Sequence, residues 1–167
     1  MKKITIAVLF GSRDFFPADL VIDARMQMFS ALDELGIDYI ALNENSGVHG
    51  AVTTYAHAQE CAELFKKHAD EIDGILVSLP NFGDERGIAD TIRLSGLRKP
   101  ILVQAFPDDP EKLDVGHRRD SFCGKISVCN NLRQYGYSFS VTTDHCVYPA
   151  EESFLSDLRK FSAVCRV

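Results

Sequence analysis

Ile4-Thr5-Ile6-Ala7-Val8-Leu9-Phe10 is an uncharged run of seven residues, rich in β-branched side chains and closed by Gly11. A strand with one wet face would alternate polar and apolar residues. This run is apolar almost throughout, as a strand covered by helices on both faces must be. It predicts a central strand of a parallel sheet. Working outward, Pro17 opens a segment in which Val21, Ala24, Met28, Ala31 or Leu32, and Leu35 recur at helical spacing, with Gly36 placed for a left-handed stop. Ile37 to Leu42 alternates like an outer strand. Tyr55, Ala58, Ala62 and Phe65 mark a second helix, starting at Thr53 or Thr54. Gly74 to Leu79 is a third strand stopped by Pro80. A helix from Asp84 or Glu85 to Ser95 ends at Gly96, and Pro100 leads into the strand Ile101 to Ala105. After the turn-rich stretch Pro107 to Val115, Asp120 or Ser121 caps a helix with Phe122, Ile126, Cys129 and Leu132 on one face and Gly136 as its stop. Ser138 to Val141 reads as a fifth strand. A last helix from Ala150 to Val164 carries the stripe Phe154, Leu158, Phe161 and Cys165.

Five strands alternating with helices predict the α/β class: a three-layer, doubly wound parallel sheet, most simply in the flavodoxin-like order 2-1-3-4-5. At 167 residues, 46% hydrophobic and 25% charged, the chain suits one domain over 1–167 with a real core. Net charge is −6 and uneven: six basic against thirteen acidic residues in positions 1–84, twelve against eleven in 85–167. The acidic first half argues against nucleic acid and against anionic membrane surfaces as partners. No apolar run approaches the roughly 20 residues of a bilayer span. Met1-Lys2-Lys3 before an apolar run resembles a leader but lacks a small-residue cleavage site, so the expected location is the cytoplasm. Five cysteines, odd in number and without a Cys-x-x-Cys pair, argue against a disulfide framework or a structural zinc site. The chain stops three residues after its last helix, which would suit a domain cut from a longer protein.

In this architecture ligands sit beyond the carboxyl ends of the strands. Gly11-Ser12-Arg13-Asp14-Phe15-Phe16-Pro17 offers one serine where a flavin-phosphate loop needs several small hydroxyl residues. A phosphoacceptor would need carboxylates where Gly11-Ser12 and Ser78-Leu79-Pro80 stand, and there is neither a Walker lysine motif nor Gly-x-Gly-x-x-Gly. The loop Pro80-Asn81-Phe82-Gly83-Asp84-Glu85-Arg86-Gly87 is polar, glycine-rich and runs straight into a helix. It reads as a binding loop for hydroxyls or an anion, or else as a turn in which Asp84 caps the helix and Glu85 and Arg86 are solvated. His117-Arg118-Arg119-Asp120 puts three basic groups before a helix start, against the dipole. Either a ligand compensates that cost or Asp120 and other carboxylates neutralise the cluster. Asp144-His145-Cys146 has the members of a thiol triad, but neighbours in sequence do not form one relay, and a buried cysteine is the simpler reading. Cys123, near a helix start, is the better candidate for a reactive thiol. The histidines lack metal-ligand spacing with carboxylates.

At these loops the chain resembles the amino-terminal domain of the L-fucose isomerase and L-arabinose isomerase superfamily. Asn81-Phe82-Gly83-Asp84-Glu85-Arg86-Gly87, an apolar helix and Lys99-Pro100-Ile101-Leu102 are similar to the fucose isomerase pattern Asn-Gly-Thr-Glu-Arg-Pro-Gly, helix, Ile-Pro strand. His117-Arg118-Arg119-Asp120-Ser121-Phe122 is similar to the His-Gly-Gly-Arg-Glu-Phe segment of arabinose isomerases, with two arginines in place of two glycines. The resemblance implies the N-terminal domain of a longer aldose-ketose isomerase. Such an enzyme uses manganese or another divalent metal held by later domains. It implies substrate contacts from Arg13, Asn81, Glu85, Arg86 and His117 to a monosaccharide in a neighbouring subunit's site, hence a homo-oligomer and docking of carboxy-terminal domains. The fragment itself would be inactive. The alternative is a stand-alone sugar-binding or scaffolding domain without catalysis. Two structural expectations follow: those five residues share a cleft, and an excised domain exposes a large apolar patch.

Overall fold

The computed structural model describes residues 3–167; Met1 and Lys2, which belong to the leader-like start, lie outside them. The chain alternates β1 (Thr5–Gly11), α1 (Asp19–Glu34), β2 (Asp38–Ala41), β3 (Ala51–Val52), α2 (Tyr55–Lys67), β4 (Gly74–Leu79), α3 (Glu85–Ser95), β5 (Ile101–Ala105), α4 (Ser121–Gln134), β6 (Ser140–Val141) and α5 (Glu152–Val164). All strand pairings are parallel, in the order β2-β1-β4-β5-β6. That is the expected doubly wound order once the additional strand β3 is counted. β2 pairs with residues 5–8 of β1, and β3 pairs with Phe10 and Gly11 on its continuation, so two short strands cover β1 in turn. A two-residue strand carries no period, and β3 left no trace in the sequence pattern.

Strand alternation sorts the core into two layers. Ile6, Val8 and Phe10 of β1, Leu76 of β4 and Leu102 of β5 pack with Val21, Ala24, Met28 and Leu32 of α1 and Phe154, Leu158 and Phe161 of α5. Ala7 and Leu9, Ile75, Val77 and Leu79, and Ile101, Val103 and Ala105 face the other way. There they meet Ala58, Cys61 and Phe65 of α2, Ile88 and Ile92 of α3, and Val128 and Leu132 of α4. Each fully buried Phe or Leu contributes about 1.5–3 kcal/mol of transfer free energy, so both faces of the central strands hold the fold together. A buried polar relay crosses the first layer. Ser78 donates to the Gln104 side-chain oxygen at 2.8 Å, and Gln104 Nε2 donates to Val147 O at 2.7 Å, which fixes the loop after β6.

Helix ends follow local chemistry. Thr54 accepts the His57 amide as an N-cap, and Gly36, Gly96 and Gly136 stop α1, α3 and α4 with positive φ. Three expectations need correction. Tyr55 is exposed, and the buried stripe of α2 is Ala58, Cys61, Ala62 and Phe65. The fifth expected strand shrinks from 138–141 to Ser140–Val141. The face assigned to α4 is also wrong. Phe122 and Ile126 are exposed, while Ser121, Gly124, Lys125, Val128 and Leu132 are buried. The buried face holds polar and small residues because the loops beside α4 supply hydrogen-bond partners and a close backbone approach that apolar periodicity cannot register.

Candidate functional site

The carboxyl ends of β1, β4 and β5 carry the loops that the sequence singled out. Asn81, just past β4, is fully buried. Its Nδ2 donates to Ser12 Oγ at 2.9 Å and its Oδ1 accepts the Gly83 amide at 3.0 Å, so one side chain ties the β1–α1 loop to the β4–α3 turn. Gly83 takes φ 78°, a left-handed conformation that costs glycine little. Asp84 occupies the N-cap position of α3, but its side chain makes no capping hydrogen bond.

Above this clamp, Arg13 Nη2 donates to Glu85 Oε2, and the guanidinium lies 4.5 Å from the centre of the Phe82 ring. The Arg13 side chain remains 42% exposed against 22% for Glu85, so the pair has an open side. Arg86 is exposed and lines a different groove of about 720 Å³ over the outer side of α3, with Tyr55, Asp90, Arg93 and Tyr135 among its neighbours. Asp90 is buried there and accepts from Arg93 Nη2 at 3.0 Å and from Tyr135 OH at 3.2 Å.

The basic cluster before α4 is neutralised by carboxylates, the second of its two readings. His117 Nδ1 lies 2.8 Å from Asp114 Oδ2. That hydrogen bond and the Gly116 amide hold the Asp114 carboxyl below the usual carboxylate range. Arg118 Nε is 3.2 Å from Asp120 Oδ2. Arg119 is buried, donates from Nη1 to Pro80 O at 2.9 Å, packs 5.2 Å from the Phe106 ring and reaches Asp23 of α1 at 3.4 Å. The Asp108 carboxylate accepts the Arg119 amide at 2.6 Å, which sets the path of the chain into α4. His117 and Arg119 line a cleft of about 430 Å³ that also takes Asp19, Asp23, Gln27, Lys112 and Tyr148.

The structure therefore joins Arg13 to Glu85 and places Asn81 beneath them, but puts Arg86 and His117 on two separate clefts. The expected single cleft for all five is corrected. The turn after β4 and the segment before α4 touch through Arg119 and the Pro80 carbonyl, but Arg86 lies in the groove with Tyr55, Asp90 and Tyr135, and His117 in the cleft with Asp19, Asp23 and Tyr148. Apolar side chains are exposed at several points: Phe15 on the first loop, Leu113 and Val115 before α4, Ile22 and Met26 one turn apart on α1, and Phe122 and Ile126 one turn apart on α4.

Two features escaped sequence reasoning. Lys125, buried on α4, donates from Nζ to Thr142 Oγ1 at 2.7 Å and to His145 O at 2.8 Å, and burial pushes its ammonium below the usual lysine range. Gly124 lets α4 seat on the β4–α3 turn, because a Cβ there would fall 1.9 Å from Phe82 O. A glycine in the first turns of a helix was the available signal, since it costs helix stability that only close packing returns. The thiol reading of 144–146 fails on environment: burial pushes the Cys146 thiol upward, and the His145 ring packs 5.1 Å from Phe122. Burial likewise raises Cys61, Cys129 and Cys165, the last to about 11, while Cys123 is exposed. Among the described residues no three His, Cys, Asp or Glu side chains are grouped to hold a metal, and no helix is long and apolar enough to cross a membrane.

The family model described as fucose/sulfoquinovose isomerase, N-terminal domain, matches residues 7–167. No curated protein matches the chain.

Proposed function

The chain belongs to the fucose/sulfoquinovose isomerase N-terminal domain family, and from that premise we propose that it positions the monosaccharide of an aldose-ketose isomerase at a subunit interface. The observation that carries this reading is Arg13: an arginine at the carboxyl end of the central strand, braced by Phe82 and Glu85 and still exposed on one side. Its guanidinium has five N–H donors, of which Glu85 engages one. The remainder can grip sugar hydroxyls that approach from a neighbouring protomer. His117 offers a second contact. With Nδ1 directed at Asp114, its Nε2 is left to face a hydroxyl. Asn81 works from below by fixing the two loops that carry Arg13 and Glu85.

The proton shift between C1 and C2 needs acid and base groups opposed across the substrate. Glu85, Asp109, Asp114, Asp120 and Asp23 are instead paired with basic side chains of the same chain. In this reading the catalytic carboxylates and the ligands of a divalent ion, manganese in the enzymes that the sequence resembles, come from other domains. A bound divalent ion would polarise the sugar oxygens, and this chain would supply orientation.

The test is kinetic. In the natural full-length protein, Arg13→Ala and His117→Ala each lower kcat/KM for the aldose by about tenfold or more, equivalent to about 1.4 kcal/mol of transition-state binding, with the melting temperature unchanged. Residues 1–167 alone show no turnover with or without manganese. Wild-type efficiency in both variants would defeat the positioning role.

A further inference from the structure

The edge that is to meet the substrate has almost no uncompensated positive charge. Arg13 is paired with Glu85, His117 with Asp114, Arg118 with Asp120, Arg119 with Asp23, and Lys112 with Asp109. The cleft beneath His117 repeats the pattern, with Asp19, Asp23 and Asp109 set against Lys112, His117 and Arg119. Its formal charge is zero with His117 protonated and −1 with it neutral. Arg86 lies outside this set, in the groove over α3 with Asp84 and Asp90.

Recognition of a sulfonate, phosphate or carboxylate on a sugar needs the opposite arrangement, a guanidinium or ammonium whose charge no carboxylate has already met. An anionic group brought to the remaining N–H donors of Arg13 would have to sit beside the Glu85 carboxylate, and like charges at contact distance repel. Hydroxyl groups carry no such penalty. They donate to the carboxylates and accept from the bases, and a cleft lined equally by both satisfies them. The two sugars in the family's description differ in this respect: fucose is an uncharged 6-deoxy sugar, and sulfoquinovose bears a permanent sulfonate.

We propose, resting on the isomerase reading above, that this domain serves an uncharged aldose and that Glu85 is a specificity-determining residue, because it cancels the charge of Arg13 and so excludes anionic sugars. Phe82 contributes by holding the guanidinium over its ring, where Glu85 reaches it.

The experiment compares kcat/KM of the natural full-length protein for L-fucose and for sulfoquinovose, in wild type and in Glu85→Gln. Glutamine keeps a hydrogen-bond acceptor for Arg13 and removes the charge. A melting curve confirms that the variant is folded. The ratio of the two efficiencies is the readout, so a general loss of activity does not obscure the result. Wild type should favour the neutral sugar by tenfold or more, and Glu85→Gln should narrow that preference at least threefold by raising use of the sulfonated one. Equal or better use of sulfoquinovose by wild type would overturn the proposal, as would an unchanged ratio in Glu85→Gln. Isomerisation of neither sugar nor of other aldoses would overturn the isomerase reading itself, and the specificity proposal with it.

Discussion

Two loop regions bring basic groups to the same edge of the sheet, and they are held by opposite means. The turn after β4 is fixed from within: fully buried Asn81 satisfies Ser12 and Gly83 at once, and the charged pair Arg13–Glu85 rides on top. The segment before α4 is fixed from outside, by carboxylates set against successive basic residues, several of them exposed on both sides; His117 and Asp114 are 62% and 63% exposed. Buried hydrogen bonds between neutral groups are costly to break because the abandoned partner stays dry, whereas an exposed ion pair is replaced by water. The first region is therefore built to hold one geometry. The second is built to neutralise charge, and it can give way to a ligand at little cost.

The variant expected to cost most attacks the place where the two regions meet. Gly124→Ala forces a methyl group against the Phe82 carbonyl, so α4 must lift off the turn. Backbone cannot swing aside as a flexible side chain can, and we expect a loss of about 3 kcal/mol or more, seen as a fall in melting temperature of roughly 10 °C. A variant as stable as wild type would mean that the two regions are independent.

Asn81→Ala comes next. It strands the Ser12 hydroxyl and the Gly83 amide, at about 2 to 3 kcal/mol in chemical denaturation. In the full-length enzyme it should also raise KM more than the same loss of stability elsewhere in the core, because Arg13 loses its footing.

The smallest effect is expected from Asp114→Asn, which should lower the melting temperature at neutral pH only slightly, because the pair is exposed. Because the folded Asp114 carboxyl titrates below its ordinary value, whatever it contributes is present above the unfolded pKa of about 3.9 and is lost as pH falls through the lower folded value. Melting curves of wild type and variant should therefore merge in acid. A large drop at neutral pH would show that the outer pairs carry structure after all, and the contrast between the regions would collapse.

The residues differ in how much of this they disclosed in advance. The central strands and the glycine stops are local facts, written in runs of apolar residues and in single positions that must take positive φ, and both can be read without knowing the rest of the chain. The basic cluster at 117–119 was equally visible, but Asp23, which meets Arg119, stands 96 positions away on α1. The face of α4 was misread because Lys125 looks like a surface residue until Thr142 and the His145 carbonyl are folded against it. Periodicity reports which residues dislike water. It is silent about polar groups that find partners only in the assembled molecule, and those polar groups make up this edge.

The divided border beside β1 has a consequence for the life of the chain before and after folding. β2 has four residues and β3 two, and the opposite border, β6, has two, whereas β1, β4 and β5 run to seven, six and five. Between β2 and β3 the backbone loops out, with Gly47, His49 and Gly50 at positive φ and Arg25 holding the Leu42 carbonyl at 3.0 Å. The strands with the strongest tendency to recruit a foreign strand are thus enclosed, and neither open margin presents more than four residues in register. A crowded newly made chain meets its siblings along margins too short to template a growing fibril, which protects the molecule without a single charged gatekeeper in either two-residue strand.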